Sequence, residues 1–117
     1  LRVHITELDL DVLPQVSDYT GADISTNYTY AKRLNPYTNG LPKSVEAQHT
    51  SRYTELFELF VKHRDKIDRV STWGTTDGES WKNGWPIKGR TNYPLLFDRG
   101  YRPKPAYFSI KDLKLPS

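Results

Sequence analysis

The feature that most constrains this chain is one amphipathic helix set between two short β-branched stretches. From Ser44 to Lys66, Tyr53, Leu56, Phe57, Phe60 and Val61, continued by Ile67, recur at spacings of three and four, and Glu55, Glu58, Lys62 and Arg64 fall largely outside that stripe. Ser44 suits the helix N-cap, and Glu46 suits the positive end of the macrodipole. Leu1 to Leu10 before it and Asp68 to Gly74 after it read as strands. Strand, helix, strand is the unit that builds parallel sheet with a right-handed crossover. Both strands then point their C-terminal ends to one edge of the sheet.

In the first strand Val3, Ile5, Glu7 and Asp9 share one side, because successive side chains alternate faces. An apolar face that runs into Glu-x-Asp fits a strand opening into a polar cleft, as at the top of a parallel barrel. It fits equally a strand that ends in two solvated acids. Trp73 closes the second strand at the same edge. The loop after it, Thr75 to Asn92, holds Trp81 and Trp85. Asp11 to Lys43 reads as one long loop, with turn signals at Thr20-Gly21, Asn35-Pro36 and Asn39-Gly40. Loops of that length usually serve function, so Tyr19, Tyr28, Tyr30 and Tyr37 are read either as the wall of a cleft or as packing of the loop on the body. Asn27-Tyr28-Thr29 fits a glycosylation sequon. After a buried-looking Leu95-Leu96-Phe97 segment, a final helix is predicted with Pro105 near its first turn and Ala106, Tyr107, Ile110 and Leu113 on its inner face.

The 117 residues suffice for one domain and fall short of the roughly 250 of a complete α/β barrel. Three Trp, eight Tyr and four Phe are too many for a disordered chain. A net charge of +3 without a basic block gives no footprint for nucleic acid, and no apolar run approaches the ~20 residues that span a bilayer. Without cysteine there is neither a disulfide framework nor a thiolate metal site. His49 and His63 have no second histidine at ligand spacing and are assigned to the surface or its boundary, with no metal expected. A chain starting at Leu1 inside a strand, without initiator Met or signal peptide, is expected to be the tail of something longer.

Tryptophan beside hydrogen-bonding groups matches a pyranose ring, which has apolar C–H faces and a fringe of hydroxyls. Carbohydrate is therefore the ligand class the residues favour, although each tryptophan taken singly also fits a structural role. Glycoside hydrolysis needs two carboxyl groups. Glu7 qualifies as one, and Asp77 or Glu79 is the weaker candidate for the other, since Asp-Gly-Glu-Ser is also an ordinary turn. No phosphate loop, Gly-x-Ser-x-Gly elbow or His-Glu-x-x-His motif is present.

Val3-His-Ile-Thr-Glu-Leu-Asp9, Arg52-Tyr-Thr-Glu-Leu-Phe57 with Lys62-His63, Val70-Ser-Thr-Trp-Gly74, Asp77-Gly-Glu-Ser-Trp81, Pro94-Leu-Leu-Phe-Asp98 and Pro103-Lys-Pro-Ala-Tyr107 follow one another in register. Together they resemble the C-terminal part of the family 10 glycoside hydrolases, the endo-1,4-β-xylanases, over nearly the whole chain. The resemblance implies an α/β fold in which residues 1–117 are the seventh and eighth βα units of a (β/α)₈ barrel, incomplete on their own. It implies that Glu7 is the nucleophile of a retaining xylanase, Asp9 the acid that orients a neighbouring histidine, and Trp73 and Trp81 the lining of the sugar subsites. It implies xylan or xylo-oligosaccharide as substrate, no cofactor, the N-terminal part of the barrel as partner in the same or a separate chain, and a secreted, periplasmic or cell-surface location. The family's acid/base glutamate and its site histidine belong to earlier strands, and neither motif occurs here. The loop after the first strand is longer than the family's usual one. A sugar-binding segment without catalysis, or a protein-interaction module, are the readings of other classes. Expressed alone, the chain is expected not to fold to a stable monomer.

Overall fold

A computed structural model of the chain describes residues 1–14, 33–85 and 88–113. Strand β1, Val3–Leu8, and strand β2, Ile67–Thr72, pair in parallel, with Val3 opposite Ile67, Ile5 opposite Val70 and Leu8 opposite Thr72. Main-chain bonds extend the ladder at both ends, from the Val3 N–H to the Lys66 carbonyl at 2.8 Å and from the Trp73 N–H to the Leu8 carbonyl at 2.9 Å. The Arg2 guanidinium binds the Asp68 carboxylate and the Asp65 carbonyl, fixing the strand starts together.

Helix α1, Lys43–Lys62, makes the crossover. It begins one residue before the predicted start, and Pro42 rather than Ser44 holds the cap position without a side-chain hydrogen bond. It ends at Lys62 rather than Lys66, because His63 to Lys66 form the turn that reverses the chain, with the His63 carbonyl accepting from the N–H groups of Lys66 and Ile67. Ile67, read as the end of the helical stripe, opens β2 instead. Glu46 does lie in the first turn, as the macrodipole favours.

The stripe on α1 centres on Tyr53, which is fully buried and donates from its hydroxyl to the Pro94 carbonyl at 2.5 Å. Phe57 and Phe60 continue it, their rings edge to face at 5.2 Å. Helix α2, Pro105–Lys111, carries Pro105 in its first turn, buries Ala106 and packs on α1, where the Thr54 and Ser109 hydroxyls are 2.6 Å apart. Leu13, Leu34, Tyr53, Pro94, Leu95 and Ala106 are the buried apolar residues among those described.

One further expectation changes. His49 is not at the surface: it is 4 % exposed, with its ring edge-on to Tyr53 at 4.8 Å. One turn before Tyr53, it falls on the inner face of α1, and a polar ring there is covered with the rest of that face. The apolar face of β1 lies open, as two strands of an incomplete sheet are expected to leave it: Val3 and Glu7 are exposed and Ile5 is only half-buried. Two strands have no further sheet or helix layer over that face among the described residues. Tyr19, Tyr28, Tyr30 and the Asn27 sequon lie outside the described residues.

Candidate functional site

β1 carries Glu7, exposed, to the C-terminal end of the strand pair, and the Trp73 N–H bonded to the Leu8 carbonyl brings the first tryptophan beside it. Gly74 then turns the chain with φ of 122°, and a Cβ there would stand 3.0 Å from Leu95 Cδ1. This close approach lets Thr76 and Asp77 run alongside Phe97, with the Asp77 N–H on the Phe97 carbonyl at 2.9 Å.

Two 3₁₀ turns follow, Asp77–Glu79 and Trp81–Asn83. The Thr76 hydroxyl donates to Glu79 Oε1 at 3.1 Å, and the Ser80 hydroxyl caps the second turn by accepting from the Lys82 N–H at 3.1 Å. Asn83 ties the segment into one body. Its amide donates to the carbonyls of Asp77 and Ser80, and its Oδ1 accepts from the Asn92 N–H at 2.8 Å and from Arg99 at 2.9 Å.

The sequence offered Asp77 as a second catalytic carboxylate, and the structure removes it. Asp77 is fully buried, accepts from the Leu95 N–H at 2.8 Å and pairs with the Lys104 ammonium at 3.0 Å. Burial pushes this carboxyl up from its ordinary range, while Lys104 pulls it down. Lys104, also buried, donates a further hydrogen bond to the Tyr93 carbonyl at 2.9 Å. The pair fastens the loop to the start of α2 and faces no cleft. Glu79 remains exposed but is engaged by Thr76.

Asp9 and Asp11 continue the alternation begun by Glu7 and meet consecutive residues of the second 3₁₀ turn. The Trp81 indole N–H donates to Asp9 Oδ2 at 2.8 Å, and the Lys82 ammonium stands 3.8 Å from Asp11 Oδ2. Asp11 Oδ1 accepts from the Leu13 N–H at 2.7 Å and the Asn92 amide at 2.9 Å. Asn92 Oδ1 in turn accepts from the N–H groups of Val12 and Tyr93. Trp81 and Trp85 stack with centroids 5.1 Å apart and planes at 28°, and both are about half exposed, as is Trp73. Such a cluster presents flat apolar faces beside the exposed Glu7 carboxylate at one strand end, which suits a sugar ring.

Of the residues expected at the site, Glu7, Asp9, Trp73 and Trp81 therefore gather at the C-terminal edge of the strand pair. Within this chain Asp9 is met by the Trp81 indole; the histidine it is expected to orient belongs to earlier strands. Asp11, Lys82, Asn83 and Asn92 were not singled out from the sequence, although Asp11 stands one alternation beyond Asp9 and Lys82 directly follows Trp81. The hollow between Asp9–Val12 and α1, lined by His49, Arg52 and Leu56 among others, includes neither Glu7 nor a tryptophan. Among the described residues no group of three or more His, Cys, Asp or Glu is placed to hold a metal ion, and no helix is long and apolar enough to cross a membrane.

The fold and these residues define a class. The sequence profile of glycosyl hydrolase family 10 matches residues 1–113, and the chain belongs to that family. Its relatives include endo-1,4-beta-xylanase A of Xylanibacter ruminicola, 50% identical over 92% of this chain and 29% of that protein, and an endo-1,4-beta-xylanase of Geobacillus stearothermophilus, 36% identical over 95% and 29%. Among solved structures, a GH10 endoxylanase from a sugarcane soil metagenome superposes with a TM-score of 0.82 at 52% identity, covering 96% of this chain and 30% of its own. Xylanase B from Clostridium stercorarium F9 gives 0.74 at 33% identity, covering 97% and 28%. The chain thus spans under a third of the length of these relatives.

Proposed function

We propose that residues 1–117 are the seventh and eighth βα units of the catalytic barrel of a retaining endo-1,4-β-xylanase, contributing its nucleophile and part of its sugar subsites. The observation that carries this reading is the Trp81 indole bound to Asp9, two residues from Glu7, which sets an aromatic platform and an exposed carboxylate at one strand end. In the first step Glu7 attacks the anomeric carbon while a glutamate from an earlier strand protonates the glycosidic oxygen, and the sugar alcohol leaves. In the second, the same glutamate, now a carboxylate, takes a proton from water, which attacks the anomeric carbon and frees Glu7. Retention requires the two carboxyl groups about 5–5.5 Å apart. Asp9 has one oxygen on Trp81 and a second to offer the site's histidine. Trp73 and Trp81 stack on sugar rings of xylan or xylo-oligosaccharide, the enzyme acts without a cofactor, and it works outside the cytoplasm or at the cell surface.

Half-exposed tryptophans also suit a sugar-binding segment that performs no chemistry, and one experiment separates the two. Release of reducing ends from xylan by the complete protein is measured for wild type and Glu7→Gln. A nucleophile predicts a loss of at least about a thousandfold. Equal rates would leave only sugar binding.

A further inference from the structure

The two acids beyond Glu7 hold neighbouring residues of one turn, and the second of these holdings has a consequence for the platform itself. Lys82 Nζ lies 4.7 Å from the centroid of the Trp81 ring and 5.6 Å from that of Trp85, so one ammonium rests against both members of the stack. Its side chain is only 19% exposed and that of Asp11, 3.8 Å away, only 14%. Asp11 is immobilised in its turn by the Leu13 N–H and the Asn92 amide on its other oxygen. A chain of contacts therefore runs from Asn92 through Asp11 and Lys82 to two half-exposed indoles. With its charge balanced by Asp11 and its head covered by aromatic faces, Lys82 has little left to offer a substrate directly.

We propose that Lys82, anchored by Asp11, is a positioning residue that clamps the Trp81–Trp85 stack in the orientation that receives the sugar. The inference rests on the reading of this edge as a xylanase subsite. A platform held in one orientation before binding loses less freedom when sugar arrives, so the clamp acts on affinity rather than on the chemical step.

The test uses the complete enzyme with xylotetraose as substrate, and the far-ultraviolet exciton signal of the stacked indoles as a readout independent of catalysis. Lys82→Met keeps the apolar stem and removes the charge. It should raise KM about two- to fivefold, the weight of a modest cation–π contact, with kcat held and the exciton signal reduced. Lys82→Arg should restore both. Asp11→Asn should raise KM similarly, and adding it to Lys82→Met should bring no further change. Unchanged KM and unchanged exciton signal in Lys82→Met would overturn the clamp. So would a parallel fall of kcat and thermal stability in every variant, Lys82→Arg included. If the wild-type enzyme releases no reducing ends from xylan, the functional reading fails, while the exciton comparison still decides the clamp.

Discussion

An imidazole sealed against Tyr53, with no hydrogen-bond partner for either ring nitrogen among the described residues, must give up its proton to stay there. Burial lowers the His49 pKa to about 4, and the positive charge of Lys104 adds to that, while the nearby carbonyls of Pro94 and Leu10 oppose it without closing a hydrogen bond. Because the folded pKa lies below the unfolded value of about 6.5, the unfolded state binds more protons between these limits, so stability falls as pH drops from about 6.5 to about 4. Between pH 7 and pH 5 the cost from this group is on the order of 2 kcal/mol. Thermal melts of the complete protein should show the wild type losing more over that interval than His49→Leu. Parallel losses would assign the acid sensitivity to other groups. The sequence hid this residue because an isolated histidine reads as polar, and only its place one turn before Tyr53 on the stripe marks it as internal.

At the scale of elements, what was legible was periodic. The spacing of Tyr53, Phe57 and Phe60 gave α1, the β-branched residues gave β1 and β2, and Pro105 marked α2. The boundaries moved where a turn competed, at His63 to Lys66, and where proline took a cap from serine. Rim residues 75–85 and 88–92 were not legible as structure, because their order comes from side chains that bond to groups distant in sequence. Asn92 meets Asp11 across 81 positions, and Lys104 meets Asp77 across 27. Asn83 is the sharpest case, engaging Asp77, Ser80, Asn92 and Arg99 together. Asn83→Ala should cost about 1–3 kcal/mol and raise hydrogen exchange at amides 76–85 and 88–92 while β1 and α1 keep their protection. Uniform protection across the chain would show that the segment does not depend on Asn83.

At the scale of the molecule, few apolar side chains are buried for the amount of chain ordered. Leu13, Leu34, Tyr53, Pro94, Leu95 and Ala106 make up the buried apolar set among the described residues, whereas Val3, Leu59 and Phe108 stay in contact with solvent. Ordering backbone costs roughly 1–2 kcal/mol per residue, and a parallel strand pair needs cover on its faces to offset that cost. Produced alone, residues 1–117 should show no cooperative thermal transition and should bind a hydrophobic dye, whereas the complete protein melts cooperatively. A sharp transition from the isolated monomer would count against its being part of a larger barrel. The bonds from Asp9 to Trp81 and from Asp11 to Asn92 carry a further consequence, for recombination between related enzymes. The tryptophan-bearing segment is not a free-standing insert: its anchor points sit in the extension of β1, more than sixty residues upstream. A chimera that exchanges residues 75–92 while keeping a foreign strand end inherits the rings without their moorings, so the two stretches have to be transplanted as a pair.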